Sequence, residues 1–519
     1  MDAPSAVLQT SEIPIADDPV VLIFGSLYIL MILAIGVWGY TKTETLSDFL
    51  ITGKSIGTWV LAITVFSVVQ SGFGFVGGPE LIYAFGTTPI WIFGTAPIGF
   101  LIIWLVIGKR MRMLADIRDV LTLADGMYAR YENDWVRGLT GITVIISVTG
   151  YLATNLAALQ YVMRAIFGIP VAMGLLLGAS VLLLYSVIGG MIAGVWTDFI
   201  QGITMIIGAI LVFFYAVSFG GGVRNISENL AASDPALISP FGALGGITAL
   251  SWWILFSVGG IGQAHTITKF YMIKDIKLLK WGAPIAAISY GISSLLAFTT
   301  GLSMRAMVEA GNIQALESAS ETMPIFVLNY APSIVAGIVL SGLLAAIMST
   351  SDSFLNIAAA AVTRDIPRAL GRPIEDDQVE FRVTQIALVG VTVAATLIVH
   401  FSSALVGILG VIGWGLFAAS FFPVVALGLN WKGATAPGAI AAIVVGLLLN
   451  IVYEVLPTAF STFGMGSLAE SISATYPFPE TLVVGTAAML ISTIVLVVVS
   501  LVTQSEYTVP ADIKPLLEQ

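Results

Sequence analysis

The chain alternates long apolar stretches with short polar ones. A helix crossing a bilayer needs about 20 mostly apolar residues. By that measure the sequence predicts thirteen spans: 20–40, 58–83, 88–108, 139–166, 171–193, 196–219, 248–269, 281–305, 331–361, 382–400, 403–429, 434–455 and 482–503. The two-residue alternation of a membrane barrel is absent, so the expectation is an all-α polytopic membrane protein. The acidic N-terminal stretch MDAPSAVLQTSEIPIADDP has no basic run, so the first span should stay as an anchor and not be cleaved.

Positive charge orients such a bundle. With the N-terminus outside, 18 of the 21 Lys and Arg fall on one side, leaving only Arg164, Arg224 and Arg305 on the other. The predicted topology is therefore N-terminus outside and C-terminus cytoplasmic.

Composition narrows the function classes. Hydrophobic residues make up 57% and charged residues 10%, against about 25% charged in soluble domains. The net charge of −10 argues against a nucleic-acid partner. With no Cys, disulfides and thiol catalysis are excluded. His265 and His400 are too far apart to suggest a metal pair, and no nucleophile–base pair marks an enzyme. His265 is expected to make a structural hydrogen bond. The expected partner at this stage is the lipid bilayer, with no obligate protein partner evident.

Two spans carry breaks. Span 58–83 contains Ser71-Gly72-Phe73-Gly74 and Gly77-Gly78-Pro79, and span 248–269 contains Gly259-Gly260-Ile261-Gly262. Glycine lets backbone leave helical geometry, and unpaired backbone at membrane depth is tolerated where it lines a cavity or ligand. The broken spans are second and seventh, an odd offset, so the units built on them would run in opposite directions. This predicts an inverted 5+5 repeat (spans 2–6 and 7–11) with a binding site where the breaks meet. The competing explanation is that the glycines only permit close packing. The expected organisation is 1–57 (external N-terminus, first span and first cytoplasmic loop), 58–219 (first repeat), 220–247 (external loop), 248–430 (second repeat) and 431–519 (last two spans and tail).

Intramembrane polar groups are the remaining candidates. Asp198, Asp352 and Glu80 are carboxylates within or at the ends of spans, and Ser349-Thr350-Ser351-Asp352-Ser353 is a polar run inside an apolar one. Hydroxyls and carbonyls are hard oxygen donors that suit an alkali cation, and Ser67 lies at similar depth in the second span. Serine back-bonding to the preceding turn is the competing explanation.

The residues also resemble a known family. Ser47 to Lys54, Gly189-Gly190-Met191 through Trp196-Thr197-Asp198-Phe199-Ile200-Gln201, Gly262-Gln263-Ala264-His265, Ala345 to Ser353, and Ala418 to Pro423 with Trp431-Lys432 are similar to motifs of the sodium:solute symporter family. The resemblance implies the LeuT-type fold and Na+ as coupling ion. It places a main sodium site at the carbonyls of Ser67, Gln70 and Ala346 and the hydroxyls of Ser349 and Thr350. Asp198, Asp352 and Ser353 resemble a second sodium position or exit route. The solute is expected against Ser71, Gly72, Tyr151, Phe256, Gly260 and Gln263. Tyr151 to Gly168 is similar to sodium/proline symporters, whereas Ala264, Phe256 and Val69 depart from their pattern. The implied function is sodium-coupled import of a small organic solute, an amino acid such as proline. The alternatives are a monocarboxylate or pantothenate, or a proton-coupled carrier using Asp352 or Glu80.

Overall fold

The computed structural model describes residues 18–40, 55–118, 120–402, 404–462, 464–476 and 483–518. The stretch Ser47 to Lys54 lies outside them. The described chain is helical throughout, with one isolated bridge between Ile56 and Ile273.

Eleven of the described helices are long and apolar enough to cross a membrane. They coincide with eleven of the thirteen predicted spans. The other two appear as shorter apolar helices, Val171–Val187 and Gly245–Ser257. Helical geometry runs unbroken from Val171 to Phe219, 49 residues. Even so, the Tyr185 and Thr197 hydroxyls meet at 2.5 Å. Twelve residues along a straight helix would separate them by about 18 Å, so the chain bends sharply between them and forms two segments.

The seventh predicted span is short because it is broken. Helix Gly245–Ser257 passes into a 3-10 turn at Gly259–Gly262, a single turn at Ala264–Ile267 and a further 3-10 stretch at Thr268–Met272. The second span breaks as well, at the first residue of the predicted motif Ser71-Gly72-Phe73-Gly74. The pivot is Ser71, at φ 47 and ψ 179, and not one of the flanking glycines. A non-glycine residue at positive φ costs on the order of 1 kcal/mol or more. Local bonds offset that cost: Ser71 Oγ accepts from the Phe73 N–H at 3.1 Å, and Asn155 Oδ1 accepts from the Gly72 N–H at 3.0 Å.

The two broken segments lie side by side. At the end of the bundle richest in Lys and Arg, Ile56 N–H donates to Met272 at 3.2 Å and Lys274 N–H to Ile56 at 3.1 Å. Helix Ser333–Ala360 packs along the first half of the second span and is buried over most of its length. At the basic end, Asp125 pairs with Arg364 at 3.1 Å, and Arg130 donates to the carbonyls of Gly428, Trp431 and Ala434. The C-terminal segment folds onto this end, burying Ile513 and Leu516.

Candidate functional site

Just before the Ser71 break, the second span meets helix Ser333–Ala360 through oxygen atoms. Ser349 Oγ lies 3.2 Å from the Ser67 carbonyl and 3.3 Å from the Ala346 carbonyl, and accepts from the Ser67 hydroxyl at 3.1 Å. Thr350 Oγ1 lies 2.8 Å from the Val68 carbonyl and 3.2 Å from that of Ala346. Six oxygens therefore converge, three carbonyl (Ser67, Val68, Ala346) and three hydroxyl (Ser67, Ser349, Thr350). Three hydroxyl hydrogens cannot saturate all those lone pairs. Neutral hard oxygens from two facing helices fit an alkali ion. The Gln70 carbonyl is placed differently: it accepts the Phe73 N–H across the break, and Val68 supplies the carbonyl that Thr350 meets. The sequence reading did not include Val68.

A second polar cluster carries charge. Asp198 and Lys269 are each about 1% exposed, and their Oδ2 and Nζ atoms are 3.2 Å apart. Lys269, one of the 18 residues counted on the basic side, is buried as the counter-charge of Asp198; an isolated carboxylate in such a place would cost several kcal/mol. Its position, four residues after His265 at the end of an apolar run, was the available signal. Asp352 Oδ1 accepts from Ser186 at 2.8 Å and Oδ2 from Asn356 at 3.2 Å. A Cβ at Gly194 would fall 2.7 Å from Asp352 Oδ2, so the carboxylate would have to shift if any larger residue stood there. Ser353 is buried beside Asp352 on the same helix.

The breaks enclose an aromatic cage. Phe256 stacks on Phe73 at 5.4 Å and on Trp414 at 5.0 Å between ring centroids. Tyr151 stands edge-on to Trp414 and to His265, both at 6.3 Å. Gln263 Nε2 donates to the Trp414 carbonyl at 3.1 Å. A Cβ on Gly260 would strike Ile103 at 2.8 Å. Several buried polar atoms here have no hydrogen-bond partner: Gln70 Oε1, Asn155 Nδ2, Gln263 Oε1 and both ring nitrogens of His265. The Tyr151 hydroxyl faces Ser71 without a hydrogen bond of normal geometry. The expected structural bond at His265 is therefore not made; aromatic rings of Tyr151, Phe354 and Phe417 surround it instead. Unsatisfied donors and acceptors in one buried place are costly in a folded chain unless a ligand completes them.

Glu80, beyond the break, is fully buried. Its Oε1 accepts from Ser320 at 2.5 Å and from the Val406 N–H at 3.2 Å, and Oε2 from the Gly407 N–H at 2.8 Å. It caps the first turn of helix Val406–Phe422, where backbone N–H groups lack partners.

Comparison with known proteins places this architecture. The sequence model described as "Sodium:solute symporter family" matches residues 49–446. The "Osmoregulated proline transporter OpuE" of Bacillus subtilis is 28% identical over 446 residues, covering 85% of this chain and 90% of that protein. The "Sodium/pantothenate symporter" of Haemophilus influenzae is 29% identical over 434 residues, covering 81% and 87%. Among solved structures, a Na+-coupled sialic acid symporter in a substrate-bound outward-open state superposes with a TM-score of 0.71 at 20% identity, covering 95% of this chain and 99% of that one.

Proposed function

From its membership of the sodium:solute symporter family, which makes this chain a multi-pass membrane transporter with sodium as coupling ion and not an enzyme, we propose that it imports a small carboxylated metabolite, an amino acid such as proline. The observation that carries the reading is the six-oxygen cluster immediately before the Ser71 break. Sodium held by Ser67, Val68, Ala346, Ser349 and Thr350, with Gln70 at the edge of the break, pins the second span against helix Ser333–Ala360. That fixes the backbone of Ser71 and Gly72, and with it the pocket they share with Tyr151, Phe256, Gly260 and Gln263.

The solute class follows from the unpaired atoms. Tyr151 and Asn155 offer donors suited to a carboxylate, and Gln70 and Gln263 offer acceptors suited to an amine. A zwitterion satisfies both sets, and the proline-transporting relative agrees with it. Pantothenate or a monocarboxylate is the second reading, supported by the pantothenate relative and by the apolar Phe73–Phe256–Trp414 stack.

We place the basic end in the cytoplasm of a prokaryotic cell, with the N-terminus outside. Sodium and solute then enter from the end where Glu80 holds the start of helix Val406–Phe422, and sodium leaves past Asp198, Asp352 and Ser353. Proton coupling through Glu80 is disfavoured, since its carboxylate oxygens already accept three donors.

Coupling of this kind is reciprocal: sodium raises solute affinity by the same factor as solute raises sodium affinity. The test is uptake of radiolabelled amino acids and small carboxylates into proteoliposomes, with and without an inward sodium gradient. Proline or another zwitterion accumulating only with the gradient is the expected result. A solute affinity that does not change with sodium would overturn the mechanism.

A further inference from the structure

The buried carboxylate Glu454 belongs to none of the clusters above. Glu454 sits in the π-helical turn Ile451–Val455 and is 6% exposed; Asn450, one turn earlier, is fully buried. Both belong to the segment Ala436–Ser461, which lies beyond the proposed repeats. Glu454 stands one residue from the predicted end of span 434–455.

Two oxygens of this pair have no hydrogen-bond partner, Asn450 Oδ1 and Glu454 Oε2. They aim at the same spot. A Cβ built on Gly415 would lie 3.1 Å from the first and 3.7 Å from the second. The amide of Asn450 is oriented by its nitrogen, which donates to the Gly446 carbonyl at 2.8 Å, so the amide oxygen is the atom left facing Gly415. Two acceptors with no donor between them repel, and a buried carboxylate without a counter-charge costs several kcal/mol.

We propose that Glu454 and Asn450 form a proton-binding site, in which Glu454 is held as a carboxylic acid that donates from Oε2 to Asn450 Oδ1. A single hydrogen satisfies both orphan oxygens and removes the charge. Two oxygens are too few for sodium, which at the Ser349–Thr350 cluster would meet six; hard cations draw on larger oxygen sets than a pair. Among the described residues no other charge is seen to compete at the carboxyl. The packed helices Val406–Phe422, Ala436–Asn450 and Val484–Thr503 contain no Lys, Arg, His, Asp or Glu. The titratable groups facing the site are Tyr453 and Tyr476, with Glu470 on the adjoining helix Gly466–Ser473. Among the described residues, the Gly485 N–H is the backbone group that meets the carboxyl.

The site has a route to the cage. Gly415, against which both oxygens point, follows Trp414, whose ring stacks on Phe256. Gly485 packs on Gly415 and also on Leu255, whose carbonyl accepts from the Trp414 indole at 3.0 Å. Occupancy by a proton therefore bears on the helix that carries Trp414.

Infrared difference spectroscopy on the purified full chain in lipid tests this without any solute. At neutral pH the wild type should show a protonated-carboxyl carbonyl band that shifts in heavy water and is lost in Glu454→Gln. In Asn450→Leu, which keeps the glutamate, the band should persist and move to higher frequency because its hydrogen-bond acceptor is gone. Identical carboxyl spectra for wild type and Glu454→Gln would overturn the proposal. So would a Glu454 band indifferent to Asn450→Leu, or an ionised Glu454 signal that responds to added sodium. Should Glu454→Gln fail to fold, the Asn450→Leu shift decides alone.

Discussion

The Ser349–Thr350 cluster and the Asp198–Lys269 cluster are both buried, and both join segments far apart in the chain, yet they settle their polarity differently. The first gathers six neutral oxygens and no charge. The second places a full negative charge against a full positive one at 3.2 Å, with Asp352 nearby on neutral donors. A neutral oxygen set has spare lone pairs and gains from an arriving cation. A carboxylate already facing an ammonium gains little, and a cation there must compete with Lys269. The comparison teaches that intramembrane carboxylates are not by themselves the best cation sites: what matters is which lone pairs remain unclaimed.

The largest expected effect tests the charged half of that comparison. Lys269→Met leaves Asp198 buried without its partner and should lower stability by about 3–5 kcal/mol. Thermal unfolding in detergent should show it, and adding Asp198→Asn should recover most of the loss. If the single variant melts with the wild type, the ammonium is not what settles Asp198. Sodium should protect Lys269→Met more than it protects the wild type, since it then replaces the missing charge.

Next comes the neutral half. Ser349→Ala with Thr350→Ala removes two of the hydroxyls proposed as ligands, each worth about 1–1.5 kcal/mol. The sodium concentration for half-maximal uptake should rise by roughly 30- to 150-fold with little change in protein abundance. A double variant with ordinary sodium dependence would end the assignment.

Glu80 is a third case, a carboxylate settled by N–H and O–H donors. Glu80→Gln puts an amide donor against the Val406 or Gly407 N–H, and should cost about 1–2 kcal/mol in unfolding experiments. Sodium affinity should stay within about twofold, since the oxygen cluster is untouched and each 1.4 kcal/mol is tenfold. A large sodium effect would mean that the two regions are linked more tightly than their separate bonds imply.

The smallest effect is at the surface. Arg118 holds Asp512 through a pair at 2.7 Å, and that bond keeps the Asp512 carboxyl below its ordinary value of 3.8. The folded-state value is depressed, so the contribution is present above pH 3.8 and fades as the pH falls through the lower folded value. With Asp512 45% exposed, the pair is worth under about 1 kcal/mol. Asp512→Asn should therefore change protease susceptibility of the C-terminal segment slightly at neutral pH, and not at all in acid.

Much of this was legible along the chain. Eleven predicted spans appear as long apolar helices, because run length against bilayer thickness is a local property. Both breaks fall within the predicted motifs, since runs of glycine weaken a helix locally and lower the cost of leaving it. The hydroxyl run from Ser349 to Ser353 stood out for the same local reason. Less visible were the bend within Val171–Phe219, the choice of Ser71 over glycine as pivot, and the orphan nitrogens of His265.

The sequence by itself determined where the chain is helical, where the helices fail, and which oxygen-rich segment lies inside the membrane, since each depends on neighbours a few residues away. Only the tertiary structure decided that Val68 and not Gln70 meets Thr350, that Lys269 neutralises Asp198 across 71 residues of chain, and that Glu454 and Asn450 turn unpaired oxygens toward Gly415. Those pairings depend on how one packed helix is rotated and slid against another, and that register is set by side chains on both helices together.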